Sequence, residues 1–215
     1  RVIEKRYLQS VDGFIFNSKT TERVVTGLLE IRKPSVVGYP PTDRFYDRMS
    51  SEQEIRERAK SDKLRVLFLG NVIYRKGLHT LLNAVKGLRS KVRVDVVGGL
   101  KAEPGYAAQI QEFIKANALS SFVFLHGTLD NEPLVEMYRR SHVMVVPSSY
   151  EGFGIVYLEG MGFGLPAIGT TAGAAGEVIA HGKDGYLIEP DDAETLAKLL
   201  DELANDRELL ARLSL

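Results

Sequence analysis

From residue 64 onward, short runs of β-branched and aliphatic residues alternate with longer stretches in which apolar positions recur every three or four residues. The runs are LRVLFLG (64–70), VRVDVVG (92–98), FVFLHG (122–127), HVMVVPS (142–148), PAIGTT (166–171) and GYLIEP (185–190). They are nearly continuous in hydrophobicity rather than alternating, the pattern of strands covered on both faces, and they predict a parallel sheet. Between them HTLLNAVKGLRS, YAAQIQEFIKANA, EPLVEMYRRS, IVYLEGMGFG and GEVIAHG are the predicted helices. Gly164 followed by Pro166 marks a helix end, since glycine accepts the left-handed position past the last turn and proline cannot continue a helix. Strands alternating with helices in this way predict a doubly wound, Rossmann-like α/β domain.

The first 45 or so residues do not extend that pattern. VDGFIFNS reads as a strand, SKTTERVVTGLLE as a helix capped by Ser18, and KPSVVGYPP as an exit strand. This unit, residues 1–45, is expected to be the tail of a preceding domain. PPTDRFYDRMSSEQE follows as a linker, with Ser51 and Glu54 offering a capping box for a short helix. The linker is set at 46–62 and the main domain at 63–215, which closes on the amphipathic DDAETLAKLLDELANDRELLARLSL. The opening RVIEKRYLQS lacks the layout of a signal peptide, and the chain reads as a piece of something longer.

Composition narrows the function classes. A chain of 215 residues, 44% hydrophobic, encloses one good-sized core and something extra. Basic and acidic residues balance at 28 each, so no global field draws nucleic acid or an acidic membrane. No window approaches the run of apolar residues that a membrane-spanning helix needs. The absence of cysteine excludes disulfides and a thiol nucleophile, and it fits a cytoplasmic location.

In doubly wound sheets, ligands bind beyond the carboxyl ends of the strands. Three loops there stand out: GNVIYRKG (70–77) with Arg75 and Lys76, HGTLDNEP (126–133), and PSSYEGFG (147–154), which opens a helix. The amides of Gly152 to Ile155 fall at that helix's amino end, where unpaired donors and the positive end of the dipole attract anions. Gly152 and Gly154 allow close approach to the backbone. Glu151 precedes the helix and Glu159 lies five residues past Gly154, about 7–8 Å along the axis at roughly 1.5 Å per residue. That separation suits a diphosphate joining two sugar rings, with Arg75 and Lys76 neutralising the phosphates. Each piece has a plainer reading by itself. Glu151 suits a helix amino end on charge alone, Glu159 suits a solvated helix face, an Arg-Lys pair suits a surface, and loop glycines suit turns. The four histidines (79, 126, 142 and 181) lack metal-ligand spacing, no D-x-D occurs, and neither a P-loop nor a G-x-G-x-x-G follows a strand.

The stretch EGFGIVYLE (151–159) resembles the E-x7-E motif of the retaining glycosyltransferases of the GT-B fold, the large group 1 or GT4 family. PSSYEGFG, GLPAIGTTAGAAGEVI and HGKDGYLIEPDDAETLA resemble that family's carboxyl-terminal, donor-binding domain in order and spacing. FVFLHGTLDNEPLVEMYRRSHVMVVPSS resembles the stretch before it, and residues 1–45 resemble the end of the acceptor-binding domain. The resemblance implies transfer of a sugar from a UDP-, GDP- or ADP-linked donor to a sugar or lipid acceptor, with retained configuration and no cofactor or metal. It implies a hexosyltransferase of polysaccharide or glycolipid synthesis, cytoplasmic and peripheral to the membrane through the missing domain. This piece alone is then expected to be inactive.

By the same resemblance, Glu151 is catalytic and meets the donor sugar together with Gly152, Phe153, Gly154 and Ile155. Glu159 meets the ribose, Lys76 and a basic neighbour hold the diphosphate beside Gly70, and the loop from Gly127 to Leu129 packs the base. The family's arginine after the first-strand glycine is replaced here by Asn71, so that either Arg75 substitutes for it or the phosphates are held differently. A non-catalytic nucleotide- or sugar-binding module, and a GT-B epimerase or phosphorylase, remain as alternatives.

Overall fold

The computed structural model describes residues 2–29, 32–41, 44–89 and 91–215. The amino-terminal segment forms a small unit of its own: α1 (Val2–Ser10), β1 (Phe14–Phe16), α2 (Lys19–Thr26) and β2 (Ser35–Val37). β1 and β2 pair in parallel as a separate two-stranded sheet. Ser18 caps α2 as predicted, its Oγ accepting from Thr21 N at 3.0 Å. The predicted helix runs to residue 30, whereas α2 ends at Thr26 with Gly27 as its cap; residue 30 itself lies outside the described residues.

After a 3₁₀ turn at Tyr46–Arg48 comes the linker helix α3 (Glu52–Ala59). Its capping box forms in both directions, Ser51 Oγ accepting from Glu54 N and Glu54 Oε2 from Ser51 N at 2.7 Å. Arg58 then pins α3 in place. Its guanidinium donates to the carbonyls of Arg139, Phe163 and Gly164 at 2.9–3.0 Å, and to that of Tyr138 at 3.5 Å. These carbonyls end two helices of the main domain, where unpaired acceptors and the negative dipole end favour a cation. Burial lowers the Arg58 pKa to about 10, which still leaves it charged at neutral pH.

The main domain follows the predicted alternation: β3 (Leu64–Leu69), α4 (Leu78–Val85), β4 (Val92–Val97), α5 (Pro104–Ala116), β5 (Val123–Gly127), α6 (Asn131–Arg140), β6 (Val143–Val145), α7 (Ile155–Gly162), β7 (Ala167–Thr170), β8 (Gly185–Ile188), α8 (Ala193–Asn205) and α9 (Arg207–Ser214). The six strands form one parallel sheet in the order β5-β4-β3-β6-β7-β8. Apolar side chains on both of its faces are buried, Val66, Leu67 and Phe68 on β3 and every residue of β6 among them. This is why the runs lack alternation. No helix among the described residues is long and apolar enough to cross a membrane.

Two predicted helices differ. GEVIAHG yields only a 3₁₀ turn at Ala175–Glu177. Asp184 Oδ1 accepts from Ala180 N at 2.8 Å, and Gly182, at φ 78°, donates its N–H to the Gly185 carbonyl at 2.8 Å. That tight turn uses up the residues a second helical turn would need. The carboxyl-terminal helix breaks at Asp206, whose backbone is extended and whose carboxylate caps α9 by accepting from Leu209 N at 2.8 Å.

From β3 the chain winds outward to β4 and β5, then returns to lay β6 against the other side of β3. The carboxyl ends of β3 and β6 therefore diverge at the switch point, where such sheets open a crevice. The two loops touch backbone to backbone. Gly77 adopts φ 70°, and a Cβ there would lie 2.0 Å from the Pro147 carbonyl oxygen.

Candidate functional site

The site begins where β6 ends. Glu151 is clamped along its backbone by the loop after β7, donating to the Ala172 carbonyl at 3.2 Å and accepting from Ala174 N at 2.7 Å. Gly173 permits this approach, since a Cβ there would lie 2.2 Å from the Glu151 carbonyl oxygen. The side chain is only 12% exposed, and its Oε2 accepts from Lys76 Nζ at 2.6 Å and from Ser148 Oγ at 3.3 Å. Lys76 reaches it from the β3 loop with its stem lying over Gly70. The two charges belong to segments 75 residues apart in the chain and meet only because β3 and β6 are neighbours.

Immediately beyond, Gly154 takes the left-handed position (φ 98°, ψ 48°) at the N-cap of α7 and supplies no side-chain cap. The first amides of the helix are left for a ligand. They open into a cleft of about 480 Å³ lined by Arg75, Lys76, Glu151 and residues Gly152 to Val156. Arg75 is braced at its edge, Nη1 donating to the Tyr150 carbonyl at 2.6 Å and its own carbonyl accepting from Ser149 N at 2.8 Å. Asn71, in the place of the family's arginine, turns the other way, its Oδ1 accepting from Gly99 N at 3.3 Å.

Glu159 is not a solvated helix residue. It is 8% exposed, its Oε2 accepting from Tyr138 Oη at 2.7 Å and its Oε1 from Arg44 Nη1 at 3.3 Å. Burial, followed by the adjacent Glu159 charge and the hydrogen bond to it, pushes the Tyr138 hydroxyl well above the usual phenol range, so it stays a donor. Arg44 also donates from Nη2 to Asn131 Oδ1 at 2.7 Å, two residues past Leu129. Leu129 itself is half-buried against the core. The structure gathers Arg75, Lys76, Glu151 and Gly152 to Ile155 around the cleft with Gly70 beneath, while Glu159 is joined through Arg44 to Asn131 and Leu129 packs against the core.

The amino-terminal unit completes the cleft wall with Asn17 and Pro40. Ser18 Oγ donates to the Gly152 carbonyl at 2.8 Å, and Tyr39 stacks on Phe153 with ring centroids 5.4 Å apart. In return the Glu177 carboxylate accepts from the first amides of α2, Thr20 N at 2.7 Å and Lys19 N at 2.9 Å, and from Tyr39 Oη at 3.1 Å. Burial acts to raise the Glu177 pKa, but these hydrogen bonds outweigh it and the net shift is downward. Ser18 is legible in the sequence as a cap and Ser148 as part of PSS, but Arg44, Tyr138 and Glu177 carry no local signal of their roles.

Comparison with known proteins gives the family and the fold. Residues 50–214 match the model of the family described as glycosyl transferases group 1. The O-antigen chain mannosyltransferase C of Escherichia coli is 31% identical over 212 residues, covering 96% of this chain and 54% of that protein. The D-rhamnosyltransferase WbpZ of Pseudomonas aeruginosa is 31% identical over 194 residues, 88% of this chain and 49% of that protein. Among solved structures, sucrose-phosphate synthase of Thermosynechococcus elongatus superposes with TM-score 0.86 at 25% identity, over 99% of this chain and 54% of that one. HepE of Anabaena, in complex with UDP-glucose, gives TM-score 0.87 at 20% identity over 99% and 60% of the two chains, and shares the fold. The chain spans about half the length of these relatives.

Proposed function

The chain belongs to the group 1 glycosyl transferases, and we propose that it is the donor-binding half of an enzyme that moves a hexosyl unit from a nucleotide-sugar to a sugar or lipid acceptor with retained configuration. One observation carries the reading: the Lys76–Glu151 pair set under the uncapped amino end of α7, inside a cleft at the switch point of the sheet. A diphosphate fits that arrangement. Lys76 keeps two further N–H groups for it, Arg75 adds a charge at the rim, and the α7 amides supply neutral donors. These groups balance the phosphate charge without a metal or cofactor.

Glu151 then has two duties. It holds Lys76 in place, and it faces the donor sugar. As the bond to the diphosphate breaks, positive charge develops at the anomeric carbon, and a fixed carboxylate stabilises that state more than the ground state. The departing diphosphate gains negative charge next to Lys76 and the helix amino end, which lowers the same barrier from the other side. Glu159, oriented by Tyr138, takes the ribose hydroxyls once Arg44 yields its place, and Leu129 lies where a base would pack.

Acceptor chemistry belongs to the part of the enzyme beyond this chain, together with any peripheral membrane contact and the cytoplasmic setting. Ile15 and Val36 of the small sheet are 81% and 57% exposed, which supports a covering lobe. Without that lobe nothing closes over the cleft to exclude water and present an acceptor, so this chain alone binds donor but does not transfer. HepE of Anabaena is known in complex with UDP and with UDP-glucose, which supports a nucleotide-sugar as the ligand class. A thermal-shift panel of UDP-, GDP- and ADP-sugars tests the proposal. One series is expected to raise Tm saturably, and no response to any diphosphate or nucleotide-sugar would contradict it.

A further inference from the structure

The opposite rim of the sheet, where the strands begin, carries a feature that donor binding does not use. Arg65 on β3 and Arg93 on β4 are partners in the parallel register, so their side chains leave the same face side by side. Like charges placed directly opposite are destabilising. Only one of the two is compensated. Asp95, fully buried on β4, accepts from Arg93 Nε and Nη2, both at 3.0 Å. The same carboxylate accepts from His126 Nε2 at 2.7 Å and Arg140 Nη2 at 3.3 Å, and nothing of it reaches Arg65. Among the described residues, neither the Arg65 guanidinium nor the Lys63 ammonium has an ion-pair or hydrogen-bond partner.

A cavity of about 490 Å³ opens between these groups, with Ser61 and Ser121 on its walls and Asp62 as its one carboxylate. Arg93 is rigid within it, held by Asp95 and lying over the Phe124 ring at 4.0 Å from the centroid. A neighbouring groove shares Ser61 and Arg65 and continues to Arg140. Arg207 braces the Ser61 backbone, donating Nη2 to its carbonyl at 2.9 Å. Two free cations, a fixed cation and two serines line one space. Their common complement is an oxyanion with several acceptor oxygens and more than one negative charge.

We propose that this amino-end groove binds a phosphate-bearing ligand, with Lys63 and Arg65 as its free cations and Arg93 as its fixed one. The strands separate it from the cleft by about 20 Å, six residues at roughly 3.3 Å each, so the two sites fill independently. A free phosphate and the headgroup of an anionic lipid offer the same chemistry, and the test separates them.

The ¹⁵N-labelled chain is titrated with inorganic diphosphate, and separately with vesicles of phosphatidylglycerol in phosphatidylcholine. Amides around Ser61, Arg65, Arg93 and Ser121 are followed alongside those of Lys76 and Gly152 to Ile155. The expected result is a saturable response of the first group that persists in Lys76→Ala and weakens about ten-fold or more in Arg65→Ala. A response to diphosphate identifies a soluble phosphate as sufficient, and a response to vesicles alone identifies a lipid headgroup. Arg65 has no partner to lose, so Arg65→Ala is expected to melt at or slightly above the parent temperature; Lys63→Gln, a change at an exposed position, gives a second variant. No saturable response to either ligand, an unchanged affinity in both variants, or a response abolished by Lys76→Ala would overturn the proposal.

Discussion

The two rims of the sheet handle positive charge in opposite ways. At the carboxyl rim, Lys76 has a carboxylate of its own, Glu151, at 2.6 Å, and Arg44 has Glu159 at 3.3 Å. At the amino rim, Arg65 and Arg93 stand side by side and a single buried aspartate serves one of them. A cation paired with a fixed carboxylate holds that carboxylate in one orientation, which suits the role proposed for Glu151. A cation left unpaired waits for a counter-charge from outside. A basic residue at a strand end is therefore informative only together with what the fold sets opposite it.

The largest expected effect sharpens this contrast at the amino rim. His142 is buried beside Arg65, Arg58 and Arg207, its Nδ1 accepting from Arg65 N at 2.7 Å and its Nε2 lying 2.9 Å from the Arg58 carbonyl. Burial first, and then the positive charges around it, hold its pKa down at about 4 against the hydrogen bond to Arg58, which favours protonation. An unfolded histidine titrates near 6.5, so the unfolded state binds the proton first as pH falls. The contribution is fully present above about pH 6.5 and is lost toward pH 4, up to roughly 3 kcal/mol. Urea unfolding across that window should show the loss in the parent and a flatter slope in His142→Gln. Equal slopes would mean that the ring is not held neutral.

Next in size is Glu151→Gln in the intact enzyme, which should lower kcat by about 10²-fold or more with donor affinity changed only a few-fold. Steady-state kinetics against calorimetric donor affinity separates the two effects, and a near-normal kcat would reduce Glu151 to a partner of Lys76. Glu159→Ala is expected to weaken nucleotide binding about ten-fold, or roughly 1.4 kcal/mol, with little further loss for a 2′,3′-dideoxy analogue. A mutant that still discriminates fully against the analogue would remove Glu159 from the ribose. The smallest effect belongs to Arg44→Ala. If Arg44 only occupies the ribose place in the empty site, removing it tightens nucleotide binding a few-fold. A weaker complex by isothermal titration would make Arg44 a ligand contact instead.

The sequence made the main sheet legible because its strands are covered on both faces, and β3 and β4 lie inside the predicted runs with the end glycines as loop residues. β6 is shorter than its run, since Pro147 and Ser148 already belong to the loop that carries Glu151. GEVIAHG misled because its apolar spacing is helical while Asp184 and Gly182 impose a turn that periodicity does not register. Glu151 and Lys76 were legible singly, from a glycine-rich helix start and a strand-end loop. Their pairing was not, because it depends on which strands are neighbours. Glu159 shows the same limit more sharply. Its partners Tyr138 and Arg44 are 21 and 115 residues away, and in the sequence Tyr138 reads only as a core position of α6.

Lys76 and the amino end of α7 are the proposed place of the donor diphosphate. Isothermal titration of the nucleoside diphosphate that best stabilises the chain, into the parent and into Lys76→Ala, tests this directly. A charge-assisted hydrogen bond to phosphate is worth roughly 1.5–3 kcal/mol, so the mutant should bind at least about ten-fold more weakly, in EDTA as in untreated buffer. Equal affinity of mutant and parent, or binding that vanishes when divalent ions are chelated, would contradict it.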